Sequence, residues 1–126
     1  MRITKLLIVD DEPLIVEIIT QLLCNCAYDL RTAGNGQEAV SIAQEFHPDC
    51  VVTGFMMPRM DRLQEAAAIL QFQPNCKFIF VTSNAYDPAI RKEYEQLGFN
   101  LKLLLPKPFE RRDLLNALAL AGFPCS

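Results

Sequence analysis

Short apolar runs rich in β-branched and aromatic residues recur along this chain, each stopped by polar or turn-forming residues: LLIV at residues 6–9, VV at 51–52 and FIFV at 78–81. Segments whose apolar residues return at helical spacing separate them. That alternation is the pattern of repeated βα units around a parallel sheet, and it assigns the chain to the α/β class. The expected strands are residues 5–9, 29–33, 49–54, 77–82 and 101–105. The expected helices are residues 13–23, 37–46, 61–71, 87–97 and 110–121.

Local chemistry marks most boundaries. Pro13 sits just inside the first helix, where its missing N–H costs nothing, and Leu14, Ile15, Ile18, Ile19, Leu22 and Leu23 form its apolar pattern. Gly34-Asn35-Gly36 reads as a turn, and Pro48 stops the second helix. The third helix carries Leu63, Ala66, Ala67 and Leu70 on one face. Asp87-Pro88 opens the fourth, in which Arg91 and Glu95 are spaced to pair across a turn, and Gly98 ends it. The last helix is expected to bury Leu114, Leu115, Leu118 and Leu120 before Gly122 and Pro124.

A chain of 126 residues has room for one core, so one domain over residues 1–126 is expected. Hydrophobic residues make up 51% and charged ones 21%, which excludes a disordered chain. No apolar stretch approaches the roughly 18 to 20 residues that span a bilayer, and no basic and apolar leader precedes Leu6, so a cytoplasmic location and no membrane partner are expected. The five cysteines, Cys24, Cys26, Cys50, Cys76 and Cys125, are odd in number and scattered, which favours reduced thiols. Cys24 and Cys26 diverge at a helix end and lack further ligands, which argues against a metal pair. A net charge of −3 argues against direct nucleic-acid binding.

Ligands of open α/β sheets sit beyond the carboxyl ends of the strands, where the strand order reverses. There the first strand ends in Asp10-Asp11-Glu12, the third in Gly54, the fourth in Thr82-Ser83-Asn84 and the fifth leads to Lys107. Singly, each has an ordinary explanation: Asp11, Glu12, Ser83 or Asp87 as helix-start residues, Lys107 as a solvated cation. Together, two acids, a hydroxyl and an amine at one edge form a site.

The segments LLIVDDEP, RTAGNGQEAV, HPDCVVTGFMMPRMD, FIFVTSNA and LPKPF, in this order and spacing, resemble the receiver domain of bacterial two-component response regulators over nearly the whole chain. The resemblance implies a (βα)5 flavodoxin-like fold with strand order 2-1-3-4-5. It implies a phosphoryl pocket in which Asp10 and Asp11 hold Mg²⁺, Asp11 directly, with the backbone carbonyl of Met56 as a further ligand. Thr82 and Lys107 would contact phosphoryl oxygens, and Lys107-Pro108 matches a bond that is cis in the family. Gly54 stands where the family has its phosphoacceptor aspartate, and Leu104 where it has a switch aromatic. Arg59-Met60-Asp61-Arg62 departs from the family's loop, and the segment between Gly98 and Lys107 is about two residues longer.

Glycine supplies neither an oxygen nucleophile nor a metal ligand, so phosphotransfer is expected to be blocked and Mg²⁺ binding weak. Thr53 points to the other face, Asp49 lies at the strand's other end, and Asp61 is a poor substitute acceptor. The favoured reading is a pseudo-receiver: a non-enzymatic interaction module whose partners are signalling proteins, a histidine kinase or a downstream output protein or domain. It is expected to be a monomer or weak homodimer. The alternative is a phosphotransfer receiver whose Asp at position 54 was exchanged. A small-ligand domain of the same fold is a third reading, unsupported by any Gly-rich loop after the first strand.

Overall fold

The computed structural model describes residues 3–54 and 59–125, with the side chains of residues 59–63 outside the description. Five parallel strands form one sheet in the order β2-β1-β3-β4-β5: β1 (Thr4–Val9), β2 (Tyr28–Ala33), β3 (Cys50–Gly54), β4 (Lys77–Thr82) and β5 (Leu104–Pro106). The helices are α1 (Pro13–Leu22), α2 (Gly36–Phe46), α3 (Arg59–Phe72), α4 (Pro88–Gln96) and α5 (Arg111–Leu120). The strand order expected from the family resemblance is the one observed.

Side chains alternate across each strand, and both faces are covered. Leu7, Val9, Val51, Phe78 and Phe80 pack under α2, α3 and α4, while Leu6, Ile8, Val52, Ile79 and Val81 pack under α1 and α5. These central strands have almost no exposed surface, which is why they read as continuous apolar runs. Helix starts follow the local chemistry: Asn35 Oδ1 accepts from Glu38 N at 2.8 Å, and Asp87 Oδ1 accepts from Ala89 N at 2.9 Å. Asp87 rather than Ser83 therefore caps α4. His47, just past α2, takes a left-handed conformation before Pro48.

Helix faces differ from the sequence reading where the apolar pattern was wider than one stripe. On α1, Ile19 and Leu23 are buried, but Leu14 is 64% exposed and Ile18 42% exposed. On α3, Ala66 is buried and Leu70 half-buried as expected, but Ala67 is exposed and Glu65 and Ile69 face inward; Leu63 lies outside the described side chains. On α5, Leu114, Ala117 and Leu118 follow the i, i+3, i+4 stripe, and Leu120 falls off it at 61% exposed. Arg91 donates to the Ala85 carbonyl at 3.1 Å rather than pairing with Glu95.

The fifth strand is shorter than expected. Residues Leu101–Leu103 form a 3-10 turn, in which Asn100 Oδ1 accepts from Lys102 N at 2.9 Å, and only Leu104–Pro106 pair with β4. The asparagine offers the backbone a local bond in place of the ladder, which absorbs the extra length before Lys107. The cysteine expectation also fails in part: Cys26 and Cys125, 99 residues apart, form a disulfide. Because α1 and α5 cover the same sheet face, the end of α1 meets the chain beyond α5, a proximity that sequence spacing does not show. In the chain-entropy view, closing so long a loop stabilises the fold by about 4 to 5 kcal/mol. Cys24, Cys50 and Cys76 are free thiols.

The α5 faces yield the first prediction. Leu118→Ala removes a fully buried side chain and is expected to cost about 2 to 5 kcal/mol. Leu120→Ala, exposed, is expected to change stability by less than about 0.5 kcal/mol. Urea unfolding of the two variants measures both, and equal losses would contradict the assigned faces.

Candidate functional site

The sheet register brings four strand ends to one edge. Val9 lies beside Thr53, Gly54 beside Val81, and Thr82 beside Pro106, so Asp10, Gly54, Thr82 and Lys107 meet at the carboxyl ends of adjacent strands. This edge includes the step from β1 to β3, where the strand order reverses. Alternation from Val51 and Val52 places Thr53, fully buried, on the α2–α4 side, away from this edge's α1 side. Asp49 works at the other end of the sheet, where its Oδ2 accepts from Lys5 N at 2.9 Å. Met56 lies outside the described residues, and so does the side chain of Asp61.

Asp10 is the centre of the site. It is only 2% exposed; its Oδ1 accepts from Glu12 N at 2.9 Å, fixing the turn into α1, and its Oδ2 lies 4.0 Å from Lys107 Nζ. The same Oδ2 occupies the volume beside Gly54: a Cβ built on that glycine would stand 2.1 Å from Asp10 Oδ2 and 2.9 Å from its Cγ. Gly54 and the Asp10 carboxylate therefore share one space: an L side chain at position 54 fits only when that carboxylate rotates aside.

Thr82 is 1% exposed, and its Oγ1 accepts from Asn84 N at 3.1 Å, which shapes the loop after β4. Lys107 N donates to the Thr82 carbonyl at 2.8 Å, and the Lys107-Pro108 bond is cis, as anticipated. The lysine side chain is 19% exposed, so its ammonium reaches a partly wet edge while the carboxylate it faces is buried. Leu104 is buried beside Phe80, its neighbour across the β4–β5 ladder.

Sequence reasoning missed the apolar neighbour of this edge. Ile15 and Ile18 of α1, with Ser83, Lys107, Pro108 and Phe109, line a cleft of about 400 Å³. The signal was present in the excess of apolar positions on α1, six where a single buried stripe needs fewer.

Mg²⁺ demands near-octahedral oxygen ligands and gives up water reluctantly. Asp10 and Asp11 do not fit that demand as placed, since the Asp10 carboxylate is engaged by Glu12 N and faces Lys107. Burial pushes the Asp10 carboxyl above the ordinary value of 3.8; the hydrogen bond from Glu12 N and the charge of Lys107 pull it back in part.

Two predictions follow from this geometry. Gly54→Ala, which in an open strand position would gain about 0.5 to 1 kcal/mol, is expected here to lose about 1 to 3 kcal/mol by forcing Asp10 aside. Adding Asp10→Ala should recover most of that loss, read as a coupling energy in a double-mutant cycle by urea unfolding. The second concerns pH. With its folded pKa raised, Asp10 contributes most to stability below its unfolded value and loses that contribution as pH rises through the folded one. Asp10→Asn, in a chelator buffer, should therefore gain stability relative to the unaltered protein between about pH 4 and 7. A difference that shrinks over this range would show that Lys107 outweighs desolvation.

Comparison with known proteins agrees with the fold. A family model described as the response regulator receiver domain matches residues 6–119. The chain is 30% identical over 119 residues to the chemotaxis protein CheY of Listeria monocytogenes, covering 94% of this chain and 98% of that protein. It is 32% identical over 123 residues to the positive alginate biosynthesis regulatory protein of Pseudomonas aeruginosa, covering 95% of this chain and 48% of that one. Against the first relatives it matches, the chain spans from 25% to 48% of their length. Among solved structures, CheY4 of Vibrio cholerae superposes with a TM-score of 0.83 at 25% identity, covering 95% of this chain and 99% of that one. A chain of the CheX-CheY-BeF3-Mg²⁺ complex from Borrelia burgdorferi does so with 0.79 at 26%, covering 93% of this chain and 88% of that one. With the match extending over nearly the whole parallel sheet and both of its helical layers, the chain belongs to the response regulator receiver domain family.

Proposed function

We propose that this chain is a pseudo-receiver: a module of two-component signalling that takes up no phosphoryl group and acts by binding other signalling proteins. The observation that carries the reading is the reciprocal fit of Gly54 and Asp10. Position 54, which the family resemblance aligns with the phosphoacceptor, offers no oxygen, and the Asp10 carboxylate fills the space that an acceptor's side chain needs. Asp10 facing Lys107 balances charge at the edge without a bound phosphoryl group or metal. The pocket residues are then Asp10, Asp11, Gly54, Thr82 and Lys107.

Further support comes from the face formed by β5 and α4. Leu104 stands at the switch position, and the space around it is filled by an aromatic cluster in which Phe80 meets Tyr94 edge-on at 5.3 Å and Phe99 at 5.3 Å. Tyr94 is fully buried. The close packing of these rings around Leu104 leaves a switch position without an aromatic of its own. The module is not an enzyme. It works in the cytoplasm as a receiver domain, monomeric or weakly dimeric, with a histidine kinase or an output protein or domain as partner. Its net charge of −3 keeps it off nucleic acid.

Intact mass spectrometry after incubation with acetyl phosphate and Mg²⁺ tests the reading. The protein is expected to gain no phosphoryl group, and calorimetric titration is expected to show Mg²⁺ affinity below that of Gly54→Asp. That variant, once Asp10 turns aside, has an acceptor flanked by Thr82 and Lys107 and is expected to be phosphorylated. A phosphoryl group on the unaltered chain, at any residue, would sink the pseudo-receiver.

A further inference from the structure

The chain beyond α5 is tied down at several points that have no role in the strand-end pocket. Gly122, at φ 101°, reverses the backbone, and Phe123 N donates to the Leu118 carbonyl at 2.8 Å. The hydroxyl of Tyr28, the first residue of edge strand β2, donates to the Phe123 carbonyl. Cys125 is then bonded to Cys26, just past the end of α1. Arg111, at the start of α5, donates from Nε to the Leu22 carbonyl at 2.9 Å, and its Nη2 lies 3.9 Å from Cys26 Sγ.

The two sulfurs sit in unequal surroundings. Cys26 is 8% exposed beside a guanidinium, whereas Cys125 lies on the partly exposed tail. A disulfide is opened most readily when the attacked sulfur is accessible and the departing one is stabilised as thiolate, and a neighbouring arginine provides that stabilisation. Cys50 and Cys76 are buried away from exchange; Cys24 is exposed but two residues along the turn from Cys26.

We propose that Cys26–Cys125 is a reversible thiol–disulfide site that docks residues 122–125 when oxidised and releases them when reduced by a small monothiol of the glutathione class. In the first step the monothiolate attacks Cys125 Sγ, the bond to Cys26 breaks, and its electron pair leaves on Cys26 Sγ beside Arg111. In the second, another monothiolate attacks the mixed disulfide on its small-thiol sulfur and frees the Cys125 thiolate. Both protein thiolates take up protons. Two monothiols are oxidised to their disulfide, and the protein disulfide is reduced by the same two electrons. Releasing the tail uncovers Phe123 and the part of the buried cluster under α1 and α5 against which it packs.

The test equilibrates the protein in glutathione buffers from fully reduced to fully oxidised. Alkylation and peptide mass spectrometry should find a Cys26–Cys125 linked peptide that forms and disappears reversibly, also in Cys24→Ser. On reduction the Phe123 amide should exchange with solvent at least about tenfold faster, and Cys125→Ser should show the fast rate at every redox ratio. Arg111→Gln should slow reduction by glutathione several-fold. The proposal is overturned if Cys24 is needed for the linkage, if no linked peptide forms in the folded oxidised protein, or if the Phe123 amide exchanges equally in both states. A rate of reduction unchanged by Arg111→Gln would overturn the assigned direction of attack.

Discussion

A parallel sheet covered on both faces leaves no room for polar chemistry except at the ends of its strands. In this chain the constraint is close to complete: Leu6, Leu7, Ile8 and Val9 of β1, and Cys50, Val51 and Val52 of β3, have no exposed surface at all. The first residue after β1, Asp10, is consequently a carboxylate emerging from an apolar layer. It is held by one backbone N–H and one ammonium, and the room it needs exists because its neighbour across the sheet is Gly54. The turn into α1, the position of Lys107 and the identity of residue 54 all depend on where that carboxylate lies.

This interdependence changes what the glycine means. Read as a missing nucleophile, it describes only a loss. In the folded chain it is also one half of a packed pair, since Asp10 Oδ2 stands where any Cβ would be. A charge buried beside Lys107 is tolerated because the ammonium and the Glu12 amide compensate its desolvation, while the net effect of burial still favours the protonated form. In the pocket the Glu12 amide satisfies Asp10 Oδ1, whereas Oδ2 makes no hydrogen bond and faces Lys107 at 4.0 Å.

At the periphery, local bonds reshape what the core does not dictate. Asn100 diverts three residues of the expected fifth strand into a turn, because an edge strand has one ladder partner and a side-chain amide competes well with it. At the other side of the sheet, the disulfide and the Tyr28 hydroxyl fasten the tail to the end of α1 and to β2. Both features lie where burial is incomplete and side-chain bonds decide the path.

The class of fold, the number of strands and helices, and the arrival of Asp10, Thr82 and Lys107 at the ends of neighbouring strands were legible in the residues. Each rests on local signals: apolar runs of strand length, helical periodicity, and Pro or Gly at the boundaries. The strand order followed from the resemblance to receivers, most element boundaries moved by a residue or two, and the start of β5 moved by three. What the sequence could not show were contacts between residues distant along it. The close approach of Asp10 to Gly54, the meeting of Cys26 with Cys125, the inward turn of Glu65 and the exposure of Leu14 and Ile18 are set by how helices rotate and strands align once packed. Periodicity fixes which residues share a helix face, but only the packed neighbours decide how much of that face is covered, and so tertiary structure alone determined both the contents of the pocket and the tether of the tail.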